Sequence, residues 1–295
     1  MSVYSIKDLE HLSGIKAHTI RIWEQRYQLF SPERTPTNIR YYNDDDLKLI
    51  LSIATLKNQG MKISKIVAMP RDLIQQEVHK ISEGDKSEED QISGLTLAMV
   101  DLDESVFSSI LNETIELMGF EKAMMNVIYP FMKKIGILWM TNAINPAQEH
   151  FITHLVRQKL IAATDKANVN VEGPLYLLFL PEGELHELGL LFANYVLRSR
   201  GIRTVFFGQT VPLEALEEVY HKLHPQCIMT ALTTAPESIE VQKYVDRLGN
   251  KFKDCTIYIT GSRVVGQDIS ISQNMQILNQ FEDLFELAPK AHLKA

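Results

Sequence analysis

The sequence predicts a multidomain α and α/β chain: a helix-turn-helix module first, a four-helix bundle next and a doubly wound parallel sheet last. Three observations carry this. Residues 1–70 hold two short amphipathic helix patterns joined by Ser13-Gly14-Ile15. Residues 70–165 show helical periodicity and no strand pattern. From residue 174, apolar runs of strand length alternate with helical stretches, the pattern of strands buried on both faces.

A chain of 295 residues makes two or three domains. Hydrophobic residues at 45% and charged residues at 23% are those of a soluble globular protein. No apolar run approaches the roughly 20 residues of a membrane helix, and the start has no basic-then-apolar leader, so no membrane is expected. Cys227 and Cys255 sit at strand patterns without a CxxC and read as reduced thiols of a cytoplasmic protein. Charge is uneven. Residues 1–70 carry ten Lys/Arg against seven Asp/Glu, while the whole chain is −7 and the remainder therefore −10. A basic module on an acidic body points to the first segment as the one that meets an anionic polymer.

In that segment Ser5 is a natural N-cap for a short helix with Ile6, Leu9 and Leu12 on one face. A second helix follows from Lys16. It turns Ile20 and Trp23 inward and leaves Lys16, His18, Thr19, Arg21 and Arg26 outside, the arrangement in which a second helix enters the major groove. A two-proline loop and a short strand then carry Arg34 and Arg40 beside Tyr41 and Tyr42, residues suited to phosphate contacts. Asn43-Asp44-Asp45-Asp46 caps a long apolar helix, Gly60 breaks it, and Ile63–Ile66 opens another.

The stretch HTIRIWEQRYQLFSPERTPTNIRYYNDDDL resembles the winged helix-turn-helix of the MerR transcription regulators. It carries Thr19-Ile20-Arg21, Trp23-Glu24, Arg34 in the proline loop and Arg40-Tyr41-Tyr42 in the wing. The resemblance implies double-stranded promoter DNA as the partner. Lys16, His18, Thr19, Arg21, Arg26 and Tyr27 would contact it from the recognition helix, and Arg34, Asn38, Arg40 and Tyr41 from the wing. In one departure, Asn38-Ile39 stand where the family usually has glycine, so a differently shaped wing tip is expected.

The middle of the chain reads as helices. One closes on Ile74-Val78-Ile81, residues 82–90 form a polar linker, and further helices contain Leu95–Val100 and Val106–Leu117, the latter capped by Asp103. Pro130 is expected to kink or restart the run from Ala123 to Leu138. A long helix begins near Pro146. Trp139 ends one helix, and Glu149-His150 lies in the first turn of the next. In isolation these would be a core aromatic and a satisfied helix start. The pair His150 and His154 lacks a third ligand and makes a poor metal site.

In the last segment strands are expected at 175–180, 202–207, 226–232, 256–260 and near 275–278, with helices at 186–200, 212–222, 237–248 and a final one. The first strand stops at Pro181-Glu182-Gly183 and is followed by Glu184-Leu185-His186-Glu187-Leu188-Gly189. Ligands of open α/β sheets sit at such carboxyl ends of strands. His186 lies between two carboxylates, Glu184 and Glu187, either of which can orient an imidazole through its other ring nitrogen. Small and hydroxyl residues close the other strands: Gly208–Pro212, Thr230–Thr234 and Gly261-Ser262-Arg263. No GxGxxG and no Walker lysine is present, which argues against nicotinamide and ATP.

Glu184-x-His186-x-x-Gly189, Thr230-x-Leu232 and Gly261-Ser262 resemble the Asp-x-His-x-x-Gly, Ser-x-Leu and Gly-Gly of cobalamin-binding domains. That resemblance makes His186 the lower ligand to cobalt. The preceding bundle is similar to the cap over the upper corrin face, whose Trp-x9-Glu-His signature matches Trp139 with Glu149-His150. The whole chain is thus similar to the CarH/LitR type, a MerR-like DNA module fused to a cobalamin sensor. Domains of 1–75, 76–168 and 169–295 follow from it. It implies a DNA-binding regulator that is not an enzyme, controlled by adenosylcobalamin, sensing light, and acting as a dimer or tetramer. The best-known light sensors of this type carry a histidine after the tryptophan; here it is Met140. Two other readings stay open: a regulator whose sensor domain has lost cobalamin, and a corrinoid carrier or enzyme.

Overall fold

The computed structural model describes residues 3–81, 87–140, 143–167, 173–235 and 240–287. The chain divides into two compact units, Met1–Leu155 and Val156–Ala295.

The first unit begins with α1 (Ile6–Ser13). Ser5 accepts from the Asp8 amide while Asp8 accepts from the Ser5 amide, a capping box. Gly14, at φ 71°, ends the helix. α2 (Ala17–Tyr27) buries Ile20 and Trp23, the two residues that its periodicity turned inward. The wing is β1 (Glu33–Arg34) paired antiparallel with β2 (Arg40–Tyr41). Its tip is closed by Asn38 at φ 67°. Asn tolerates the left-handed region better than most residues, so it serves the turn where glycine was expected. Tyr4 and Tyr42 exchange backbone hydrogen bonds of 2.9 Å, tying the wing to the start of the chain. α3 (Asp44–Asn58) is capped by Asn43 and Asp46 as the acidic run predicts. α4 (Ile63–Ile66) is a single turn and α5 (Arg71–Ile81) follows.

α6 (Glu88–Asp101) starts earlier than expected. Ser87 and Asp90 form its capping box, so Glu88, Glu89 and Asp90 are its first turn and not linker; residues 82–86 lie outside the described ones. α7 (Glu104–Met118) is capped by Asp103, as expected. α8 (Phe120–Ala123), a π turn over Met124–Ile128 and α9 (Tyr129–Met140) run on without a break. Pro130 stands in the first turn of α9, directly after the π turn, so the α-helical run restarts at the proline as expected. α10 (Pro146–Asp165) spans the boundary between the units. Phe107, Leu111, Val127, Phe131, Ile135 and Leu138 form the helical core, with Phe107 and Phe131 ring centroids 6.0 Å apart. α3 joins α6 through a Lys48–Asp101 ion pair and a 3.2 Å bond from Gln59 Nε2 to Asp90 Oδ2.

The second unit is a parallel sheet flanked by helices, as the alternation predicts. Its strands are β3 (Leu175–Pro181), β4 (Arg203–Val211), β5 (Cys227–Ala231), β6 (Thr256–Thr260) and β7 (Met275–Ile277). They lie in the order β4-β3-β5-β6-β7, every neighbouring pair parallel. Between them run α11 (Leu188–Ser199), α12 (Leu213–Leu223) and α13 (Val241–Lys251), and α14 (Phe281–Leu287) comes last. The helix expected from 237 begins at Val241; residues 236–239 lie outside the described ones. Leu177, Phe179, Ile228 and Ile257 pack with Leu216, Val245 and Leu248 into one core. On α11, Phe192 meets Phe281 at 5.5 Å between ring centroids. The chain leaves β3 for β4 on one side and returns to β5 on the other. The β3–β5 boundary is thus the switch point where ligands of such sheets bind.

Candidate functional site

The switch point brings the loop after β3 against the loop after β5. Pro181 ends β3, and Gly183, at φ 82°, turns the chain back. α11 starts at Leu188, two residues later than the periodicity suggests, so His186 sits on the loop and not in the helix. Glu184 is wholly buried, whereas the His186 side chain is 58% exposed. Glu184 Oε1 lies 2.7 Å from His186 Nδ1 and accepts from the amides of Leu185 (3.1 Å) and His186 (3.0 Å). Its Oε2 accepts from the amides of Thr233 (2.8 Å), Thr234 (2.6 Å) and Ala235 (3.1 Å). Burial opposes ionisation of this carboxyl. The backbone donors Thr234, Ala235 and His186 outweigh burial, with help from the His186 ring, and hold its pKa down at about 2.

A carboxylate on Nδ1 places the ring proton there and leaves the Nε2 lone pair open to the outside. Nε2 has no hydrogen-bond partner among the described residues. Of the two flanking carboxylates, Glu184 alone takes the ring. Glu187 points elsewhere, pairing at 2.6 Å with Arg157 Nε of α10. Gln209 donates to the Leu185 carbonyl at 2.7 Å and steadies the same loop from β4.

The other predicted residues of this unit gather at the same sheet edge. Thr230 and Leu232 are buried, and the Thr230 hydroxyl has no hydrogen-bond partner among the described residues. Gly261 is at φ 105°, and a Cβ there would stand 2.3 Å from the Leu232 carbonyl oxygen, so only glycine fits. Leu232 is held by the Thr260 carbonyl at 2.8 Å, and Ser262 donates to the Thr233 carbonyl at 3.1 Å. Gly189 lies in the first turn of α11. Sequence reasoning missed the part played by Thr233, Thr234 and Ala235. The only hint was the hydroxyl-rich run at the end of β5, since backbone amides leave no mark in a motif.

In the helical unit Trp139 and Met140 end α9 at 45% and 75% exposed, so Trp139 is no core aromatic. Glu149 accepts from Thr153 Oγ1 at 2.7 Å and lies 3.5 Å from His150 Nδ1, with the His150 side chain mostly exposed.

The recognition surface is displayed on α2 and the wing. Lys16, His18, Arg21 and Arg26 are exposed, and Thr19 and Tyr27 partly so. Lys16 pairs with Glu10 at 3.2 Å, His18 meets Thr19 at 3.3 Å, and the Arg26 guanidinium lies 5.3 Å from the Tyr27 ring centroid. On the wing Arg34 donates to Asn38 at 2.6 Å, and Tyr41 bonds Glu33. Arg40 is bound inward: its Nε donates to Glu24 at 3.0 Å, and Tyr42 donates to the other oxygen of Glu24 at 3.2 Å. Glu24 thus locks wing to recognition helix, a role the sequence did not disclose.

Residues 4–72 match the MerR HTH regulatory protein family, and residues 91–163 match the B12 binding domain family. The chain thus joins a MerR HTH module to a B12 binding domain. It is homologous to two HTH-type transcriptional repressors of Myxococcus xanthus. With CarH it is 27% identical over 251 residues, which cover 83% of this chain and 84% of CarH. With CarA it is 26% identical over 237 residues, 78% of this chain and 76% of CarA. In structure it is similar to the monomethylamine corrinoid protein of Methanosarcina barkeri (TM-score 0.52, 15% identity, 68% of this chain and 98% of that one), a likeness of fold. The B12 binding domain match falls on the helices that carry Trp139, Glu149 and His150 and ends before the sheet.

The residues present fit a corrinoid. Among the described residues no three His, Cys, Asp or Glu side chains converge to hold a bare metal ion. A single oriented imidazole suits a metal that arrives with its other ligands already in place. The buried, unpartnered Thr230 hydroxyl is a polar group left for a ligand.

Proposed function

We propose that this chain is a DNA-binding transcriptional regulator whose activity is set by bound cobalamin, with adenosylcobalamin as the form used and light as the signal. The observation that carries the reading is the His186 imidazole, held at Nδ1 by a buried carboxylate and open at Nε2 at the switch point of the sheet. Cobalamin would supply a cobalt ion here, and His186 would hold it through Nε2. Glu184 keeps the ring proton on Nδ1 and fixes the ring plane. Gly189, Thr230, Leu232, Gly261 and Ser262 are proposed to line the same site. Trp139, Met140, Glu149 and His150 are the contribution proposed for the helical unit, supported by the B12 binding domain match over them.

On the DNA side, α2 enters the major groove, with Arg21 and Thr19 reaching bases and Lys16, His18, Arg26 and Tyr27 flanking them. Arg34, Asn38 and Tyr41 hold the wing on phosphates, and Arg40 sets the wing's angle through Glu24. Promoter half-sites are read by a dimer or tetramer of a cytoplasmic protein, and a cofactor that favours one assembly shifts promoter occupancy. No catalytic role is assigned to any residue. Among the described residues no helix is long and apolar enough to cross a membrane.

The test is a promoter gel shift with cofactor-free protein, with adenosylcobalamin in the dark, and with adenosylcobalamin after illumination. The expected result is at least an about tenfold change in affinity between two of these states, about 1.4 kcal/mol of coupling. Equal affinity in all three would overturn the reading.

A further inference from the structure

The contacts that set the His186 ring reach well beyond the Glu184-x-His186 spacing. Glu184 Oε1 faces the ring at 2.7 Å while Oε2 takes the three consecutive amides of Thr233, Thr234 and Ala235 at 2.6–3.1 Å. The Thr234 hydroxyl lies 3.2 Å from Oε1 and 3.4 Å from His186 Nδ1. Thr230, which stands where cobalamin domains carry serine, has a buried hydroxyl that touches neither group. One carboxylate therefore bridges two loops 49 to 51 positions apart.

Side-chain length decides whether this can be done. Aspartate on the same backbone would end about 1.5 Å short, one C–C bond. A hydrogen bond stretched from 2.7 Å by that amount is no longer one. The shorter acid could serve the ring or the amides, but not both.

We propose that the loop Thr233–Ala235, with the Thr234 hydroxyl, is a positioning element for His186. It acts through Glu184, fixes the ring with its proton on Nδ1 and Nε2 open, and is matched to glutamate and not to the aspartate usual at this position. The inference rests on the cobalamin reading only for what Nε2 binds.

The ring can be observed without cofactor. In cofactor-free protein labelled with 15N-histidine, at a pH where the ring is neutral, wild type shows the proton on Nδ1. Glu184→Asp shows both tautomers and binds cobalamin about 10- to 100-fold more weakly. Thr234→Val, which leaves the backbone donors in place and so guards against loss of the fold, shifts the ring signals in the same direction by a smaller amount. A purely structural role would lower the melting temperature of both variants and leave the ring signals alone, which overturns the proposal. So does aspartate binding cobalamin as tightly as glutamate. If the ring behaves as stated but wild type binds no cobalamin, the positioning stands and the functional reading falls.

Discussion

The recognition surface and the histidine site are built in opposite ways. On α2 and the wing, charged side chains are displayed, and their partners are one to eighteen residues away in the chain: Arg34 with Asn38, Arg40 and Tyr42 with Glu24. At the switch point the charge is hidden, and the donors that neutralise it are backbone amides some fifty positions distant. The first design spends little stability on any one residue and leaves cations free for phosphates. The second concentrates its stability in one carboxylate. Substitutions should therefore damage fold at one site and binding at the other.

The largest effect is expected from Glu184→Ala. It strips three amides of their acceptor in a loop where Ala235 is buried and Thr233 half-buried, at about 1–3 kcal/mol for each group left unsatisfied away from water. Urea unfolding of the cofactor-free protein should show the sheet unit losing at least about 3 kcal/mol. A loss below about 1 kcal/mol would mean water replaces the carboxylate freely, and the contrast would fail.

Acid probes the same group. The Glu184 carboxyl lies near 2 when folded against an ordinary value of 4.5. A depressed carboxyl stabilises the fold above its unfolded value and loses that contribution as pH falls through its folded one. Stability on the order of 3 kcal/mol should thus be present above pH 4.5 and vanish toward pH 2, and Glu184→Gln should flatten that slope. Thermal melts between pH 2 and 6 measure it.

On the DNA side, Arg21→Ala should leave the melting temperature unchanged, weaken promoter binding by about tenfold or more, and relax the preference for one base of the half-site. Destabilisation instead would make Arg21 a structural residue. The smallest effect is expected at the wing tip. Asn38→Gly should change stability by less than about 0.5 kcal/mol, since both residues accept the positive φ, whereas Asn38→Ala should cost about 1 kcal/mol.

This contrast also explains what the sequence disclosed. The wing and recognition helix were legible because their determinants are local: Ser5 and Asn43 cap the helices they precede, and Ile20 and Trp23 fall at helical spacing. The sheet was legible because fully apolar runs such as Leu175–Leu180 have one buried solution, and His186 followed from the place where β3 ends. The π turn ahead of Pro130 went unforeseen because such a turn has no sequence signature, and the polar 88–90 run was misjudged because acids favour a helix's first turn as much as a linker. Glu24 and the loop 233–235 were invisible for a stricter reason. A half-buried carboxylate and three backbone amides acquire their roles only when distant segments meet.

The central claim is that His186 presents Nε2 to a corrinoid cobalt. It is tested most directly by incubating the full chain with adenosylcobalamin in the dark, removing free cofactor by gel filtration, and comparing the absorption spectra of wild type and His186→Ala. The account predicts that wild type retains the corrinoid, and that the variant either loses it or holds it with a changed spectrum. Retention with identical spectra, or no retention by wild type, would contradict it.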